Sequence, residues 1–229
     1  MPPEYSPVDR DPTLPDGRRL RWEAHRATRR KELIAAVVKV VREEGAGVSM
    51  DDIAIHSGIA KPVYYRYFAD KADLHLAVGQ AAARRVVRLV TVALDREGDV
   101  RSRLTAGIDA YLRSIEADPE LYRFVVHTVP TSRTARADPV EDYAAVVGLR
   151  ATRILGDLLR DAGVDSGAAE PWGFGLVGMV RAAADRWLEH RSIPRAALAD
   201  YLTDLVEPGL TAVLPAALFE PERSAASQG

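Results

Sequence analysis

The sequence predicts an all-α protein of two domains, and three observations carry that prediction. Apolar residues recur at three- and four-residue steps along most of the chain, the spacing that lines one face of a helix. Alternation with a period of two, the mark of a half-buried strand, is absent apart from short ambiguous runs. Prolines fall mostly between the periodic stretches. Five of the 14 lie in the first 15 residues, and only Pro62 lies between Asp16 and Asp118. Pro119, Pro130, Pro139, Pro171, Pro194 and Pro208 mark later junctions, because proline fits the first turn of a helix and breaks its interior. A chain of 229 residues is long enough for one large core or two modest ones.

Taken in order, residues 1–17 are Pro-rich and read as a disordered leader. Leu33, Ile34, Val37, Val38 and Val41 form the stripe of a first helix, which Gly45 and Gly47 end. Ser49 followed by Asp52 has the form of a capping box, so a second helix starts there with Met50, Ile53 and Ala54 inward. Gly58 supplies the positive φ that a tight interhelical turn needs, and Pro62 stands in the first turn of the helix beyond it. A long proline-free segment follows Asp70, with Leu74, Val78, Ala82, Val86, Leu89 and Val90 at helical spacing. It runs to about Asp95 and spans roughly 37 Å at 1.5 Å per residue. Further helices are predicted over about 99–117, 119–129, 139–163, 171–191 and 194–214, with Pro208 kinking or dividing the last.

Composition excludes several classes. A hydrophobic content of 47% is that of a globular chain, so wholesale disorder is out. No apolar run approaches the roughly 18 residues of a spanning helix, and the N-terminus has no apolar signal region. The absence of cysteine removes disulfides, thiolate zinc sites and a cysteine nucleophile, and fits a reducing cytoplasm. The formal net charge of -2 conceals a local excess. Residues 18–31 carry Arg18, Arg19, Arg21, Arg26, Arg29, Arg30 and Lys31 against Glu23 alone. Glu4, Asp9, Asp11 and Asp16 offset that arm in the total. Basic arms track phosphates or enter the minor groove; a solvated helix end is the alternative.

Two short helices joined through Gly58 make a helix-turn-helix, whose second helix enters the major groove of DNA. Four of the 15 aromatic residues fall within residues 64–68. A short helix cannot bury Tyr64, Tyr65, Tyr67 and Phe68 on one face, so some phenols face outward. Beside Lys61 and Arg66 they suit phosphate and base contacts.

On these residues the segment 29–78 resembles the DNA-binding domain of the TetR family of bacterial transcriptional regulators. The Ile53-Ala54 pair, Gly58, Tyr65, Phe68, Lys71 and Leu74 fall where that family places them. Pro62 stands where the family often has Gly or Ser, and Tyr67 replaces a frequent His. The resemblance implies a homodimeric, sequence-specific regulator of double-stranded operator DNA, a repressor released by a small hydrophobic or amphipathic effector. It divides the chain into a leader (1–17), a DNA-binding domain (18–75), a helical effector-binding and dimerisation domain (76–214) and a flexible tail (215–229). It implies base contacts from Lys61, Val63, Tyr64 and Tyr67, and phosphate contacts from Ser49, Tyr65 and Lys71; the basic arm adds Arg18, Arg19 and Arg21.

Residues 99–214 carry no motif of comparable specificity. The resemblance implies that the last two long helices pair with their copies in a four-helix bundle, with Leu176, Val180, Ala184, Leu202, Leu205 and Leu210 in the interface. An effector pocket is expected among the helices of 99–190, lined by Tyr111, Phe124, His127, Trp172, Phe174 and Trp187, with 133–139 as a loop at its entrance. The rival readings are a DNA-binding protein without an effector, and a helical enzyme or carrier that contains a helix-turn-helix. Gly173-Phe-Gly175-Leu-Val-Gly178 matches G-x-G-x-x-G only formally, since that fingerprint needs a preceding strand. The five histidines are scattered and no nucleotide-binding or hydrolase string is present, so neither catalysis, cofactor, metal nor membrane is expected.

Overall fold

The computed structural model describes residues 17–127 and 139–215, with side chains described over 22–126 and 145–215. Residues 1–16 of the predicted leader, residues 133–138 of the expected entrance loop, and the tail beyond Pro215 lie outside the described residues. Among the described residues the order is α1 (Gly17–Glu44), α2 (Met50–Ser57), α3 (Lys61–Tyr67), α4 (Lys71–Leu94), α5 (Val100–Ala117), α6 (Pro119–His127), α7 (Pro139–Asp161), α8 (Ala169–His190) and α9 (Arg195–Thr211). A single 3-10 turn, Ser166–Ala168, precedes α8. The basic segment is helical from its first residue, so it forms the opening turns of α1 rather than an arm in front of it.

Local chemistry sets the helix ends. Ser49 and Asp52 make the reciprocal bonds of a capping box: Asp52 N–H donates to Ser49 Oγ at 3.2 Å, and Ser49 N–H donates to Asp52 Oδ2 at 2.8 Å. The Ser49 hydroxyl, which donates to Asp52 Oδ2, and then the Ser49 N–H hold the Asp52 carboxyl below its usual titration range. Asp70 and Asp99 cap α4 and α5 in the same sense, accepting from Asp73 N–H and Ser102 N–H. Pro208 lies inside α9 and does not end it; the helix continues to Thr211, whose hydroxyl donates back to Glu207 O.

Two cores form. The first gathers Leu33, Val37, Val40 and Val41 of α1, Met50 and Ile53 of α2, Tyr64, Phe68, and Leu74 and Val78 of α4. It also takes Leu121 and Phe124 from α6, far along the chain. The second joins α5 (Leu104, Ile108, Leu112, Ile115) to Leu155 and Leu159 of α7, to Val180, Ala184 and Trp187 of α8, and to Leu198, Leu202 and Leu210 of α9. Arg195 of α9 ties that helix to α5, donating to Asp109 at 2.7 Å and Glu116 at 2.6 Å. The Gly173–Gly178 segment lies within α8, with no strand before it. A Cβ at Gly173 would sit 2.7 Å from the backbone nitrogen of Thr152, so glycine there permits the close approach of α7 and α8.

Candidate nucleic-acid interface and apolar cavity

The helix-turn-helix is built as its residues dictate. Gly58 closes α2 at φ 67, and Pro62 stands in the first turn of α3. Phe68, 2% exposed, is anchored in the first core, and its neighbour one turn back is Tyr64, 0% exposed. The Tyr64 hydroxyl donates to Ser57 Oγ at 2.9 Å, tying α3 to the end of α2. Burial raises the pKa of this phenol above its ordinary value. Tyr64 therefore does not face base edges as its sequence position implies; it fixes the angle between the two helices.

The other predicted DNA contacts divide. Tyr65 is exposed, Arg66 and Lys71 are exposed, and Val63 and Tyr67 are half-buried. Lys61 pairs its Nζ with Asp51 Oδ1 at 2.8 Å, which raises its pKa. Ser49 spends its hydroxyl in the capping box, accepting from Asp52 N–H and donating to Asp52 Oδ2 at 2.7 Å. Arg18, Arg19 and Arg21 fall on the first turns of α1; their side chains lie outside the described residues. Residues 22–28 of that helix are all exposed. Arg30, further along, stacks over the Phe68 ring at 4.7 Å and bonds Asp73 Oδ1 at 3.2 Å.

A cavity of about 220 Å3 lies between α4, α5, α6, α7 and α8. Its walls are mostly apolar, including Val86, Leu89, Val90, Leu104, Ile108, Leu121, Val125 and Val147. It exceeds the roughly 150 Å3 cavity known to take up benzene. Of the expected lining residues only Tyr111 reaches it among those with described side chains. Phe124 belongs to the first core, where its ring lies 4.6 Å from that of His75. Trp187 belongs to the second core and donates to Ile193 O at 2.8 Å. Trp172 and Phe174 are each 37% exposed, and His127 ends α6 with a side chain outside the described residues. Aromatic content misled the expectation: Phe124 and Trp187 fill cores and Trp172 and Phe174 are exposed, while the cavity is walled mostly by Val, Leu and Ala, which sequence patterning cannot separate from core.

The expected dimer residues need the same correction. Val180, Ala184, Leu202 and Leu210 are buried within one chain, and Leu176 lines the cavity. Only Leu205 of that set is exposed, at 68%. Outward apolar residues of these helices include Trp172, Phe174, Gly178 and Ala182 on α8 and Tyr201, Leu205 and Pro208 on α9.

One helix joins the cavity to the DNA-binding half. The start of α6 and the residue before it hold the end of α1: Asp118 accepts two bonds from Arg42, at 2.6 and 2.7 Å. Glu120 accepts from the Ala46 N–H at 3.0 Å, in the turn before α2. His75 of α4 donates to the Phe124 carbonyl at 2.5 Å. Asp118, Leu121, Tyr122 and Val125 also line the cavity. Among the described residues no group of three or more His, Asp or Glu is placed to hold a metal ion, and no helix is long and apolar enough to cross a membrane.

Comparison with known proteins agrees with this architecture. Residues 33–78 match the family described as bacterial regulatory proteins, tetR family, and residues 89–217 match the Tetracyclin repressor-like, C-terminal domain. An uncharacterised HTH-type transcriptional regulator of Mycobacterium tuberculosis is 32% identical over 204 residues, 88% of this chain and 85% of that protein. The HTH-type transcriptional activator FasR of Mycolicibacterium smegmatis is 32% identical over 167 residues, 72% of this chain and 74% of its own. In fold the chain resembles a tetR-family transcriptional regulator from Streptomyces coelicolor, with a TM-score of 0.63, 24% identity and 82% of each chain covered. It also resembles the transcriptional regulator FadR of Bacillus subtilis, solved in complex with stearoyl-CoA. That match has a TM-score of 0.63 and 16% identity, and covers 77% of this chain and 96% of FadR. The helix-turn-helix, the helical domain behind it and these matches together make the chain a member of the TetR family of bacterial transcriptional regulators.

Proposed function

We propose that the chain is a homodimeric repressor that leaves its operator when an apolar or amphipathic ligand fills the cavity. The observation that carries this reading is the cavity itself, walled by α4, the helix whose first residue is the expected phosphate contact Lys71. Two recognition helices reach successive major grooves only when held about 34–36 Å apart. A ligand that displaces α6 or tilts α4 alters that separation, provided it binds the displaced state more tightly. A ligand of this kind is supported by the apolar walls and by the FadR complex with stearoyl-CoA. FasR is named as an activator, so a reporter gene under the chain's own promoter decides the sign of regulation. Thermal-shift screening of apolar compounds, followed by operator binding with each hit, tests the effector reading. Hits that raise the Tm yet leave operator affinity unchanged would sink it.

The DNA contacts carry their own expectation. Lys71→Ala should weaken binding to every DNA sequence alike and lower the salt slope by about one, as loss of a phosphate contact does. Lys61→Ala should narrow the gap between operator and unrelated DNA, by about 1–3 kcal/mol if a bidentate base contact is lost. Filter binding over a salt series checks both, and equal effects on specific and unrelated DNA for Lys61→Ala would remove it from base readout.

Coupling should pass through the bonds that α6 makes to α1. Arg42→Met removes the clamp on Asp118 from outside the cavity. Its expected phenotype is a rise in the ligand needed for operator release several-fold larger than any change in ligand affinity caused by the freed Asp118 on the cavity wall. Titration calorimetry beside operator anisotropy would show it; parallel shifts in both would refute the coupling role.

A further inference from the structure

The cavity is graded from one end to the other. Along α5 its wall runs from Leu104 and Ile108, through Tyr111 and Ser114, to Asp118, about 21 Å at 1.5 Å per residue. The first part is aliphatic and the second carries hydroxyls and charge. A ligand that matches this wall has an apolar body and one polar end.

The sign of that polar end follows from which charges are already paired. Asp118 is committed to Arg42 by two bonds. Asp185 lies one turn beyond Arg181 on α8, the spacing at which a carboxylate and a guanidinium ordinarily meet. They do not meet here. Asp185 instead accepts the Tyr122 hydroxyl. Since the Tyr122 proton goes to Asp185, the bond at 3.2 Å between the phenols has Tyr111 as donor and Tyr122 as acceptor. The two phenols thus form a directed chain that ends on Asp185. Arg181 itself lines the cavity, half-buried, within electrostatic reach of the Tyr111 oxygen. No ion pair among the described residues engages it. Arg85, exposed on the α4 wall of the cavity, is likewise outside any such pair.

We infer that Arg181 is the head-group anchor of the effector site, and that the effector is an amphiphile with a linear apolar chain and an anionic head. This rests on the effector reading above and names the ligand class for it. A partly buried guanidinium with no carboxylate partner among the described residues is well matched to a carboxylate or phosphate, which it can hold by two parallel hydrogen bonds. The phenol chain ends on Asp185, which makes no ion pair with the anchor among the described residues.

The test uses the full chain and measures binding by titration calorimetry and native mass spectrometry. Dodecanoate, dodecanoyl-CoA and the uncharged 1-dodecanol are the probes, each below its micellar concentration. At least one anionic probe should bind about tenfold or more tightly than 1-dodecanol, the scale of a charge-assisted hydrogen bond. Preference for dodecanoate identifies a free acid, and preference for dodecanoyl-CoA a thioester whose phosphates supply the charge. Arg181→Gln should abolish the preference while leaving 1-dodecanol affinity within about twofold, which shows that the cavity is intact. Asp185→Asn keeps an acceptor for Tyr122 but removes the competing charge, and should raise anion affinity several-fold. Equal affinity for anionic and neutral probes overturns the inference, as does an Arg181→Gln protein that retains the preference or a failure of every probe to bind. Tight anionic binding that leaves operator affinity unchanged supports the anchor and refutes the effector reading, so the two fail separately.

Discussion

Tyr64→Ala should cost the protein about 3–5 kcal/mol, the range for removing a large aromatic side chain from a packed core. The ring is fully buried between α1, α2 and α4, among Leu33, Ile53 and Leu74. The substitution also leaves Ser57 Oγ without the phenolic donor, which adds about 1 kcal/mol. With α2 and α3 only 8 and 7 residues long, α3 should lose its fixed orientation before the second core melts. Urea unfolding followed by near-ultraviolet circular dichroism would show the loss as an early phase. Tyr64→Phe separates the structural role from base readout. It keeps the ring, should cost about 1 kcal/mol, and should leave operator discrimination intact. A Tyr64→Phe protein of normal stability that no longer distinguishes operator from unrelated DNA would restore Tyr64 to the base-contact set.

Leu205→Glu is expected to yield a monomer whose operator affinity falls by about 100-fold or more, the typical contribution of joining two half-site contacts into one event. Leu205 and Tyr201 are 68% and 61% exposed on α9, one turn apart and beside Pro208. On α8 the outward residues at helical spacing are Phe174, Gly178 and Ala182. Contiguous apolar faces of this kind mark interfaces, and small residues let two helices approach closely. The carboxylate would be desolvated without a partner on association, yet it sits in solvent in the monomer, so the isolated chain should keep its stability to within about half a kcal/mol. Sedimentation and operator anisotropy on the same preparation would check this. A dimer with full operator affinity would place the interface elsewhere.

The two halves of the chain differ in how much their sequence reveals. The capping box at Ser49 and Asp52, the turn at Gly58 and Pro62 in the first turn of α3 act within a few residues, so composition and spacing identify them directly. Helix periodicity likewise recovers α4 to α9 with ends shifted by a few residues. What periodicity cannot supply is the destination of each apolar stripe. On α8, Val180, Ala184 and Trp187 face the core while Phe174, Gly178 and Ala182 face outward. Both series have helical spacing, and only the packing of the other helices around α8 distinguishes them. The aromatic cluster of α3 shows the same limit at short range. Phe68 selects Tyr64 as its buried neighbour one turn back, leaving Tyr65 outside, a choice made by the packing of α1 and α4. Arg181 and Asp185 would be read from sequence as an ordinary surface pair; in the structure Asp185 instead accepts from Tyr122, more than sixty residues upstream.

The placement of α6 bears on how regulators of this design can be recombined. Leu121 and Phe124 complete the first core, and Leu121, Tyr122 and Val125 close the cavity. The first 94 residues are therefore not a portable reading head. Cut after α4, they would carry an open hydrophobic notch where α6 belongs. A chimera that grafts this helix-turn-helix onto another sensor must bring α6, or a copy of its inner face, along with it. The seam between reader and sensor runs through the middle of the three-dimensional structure, and no single point on the chain corresponds to it.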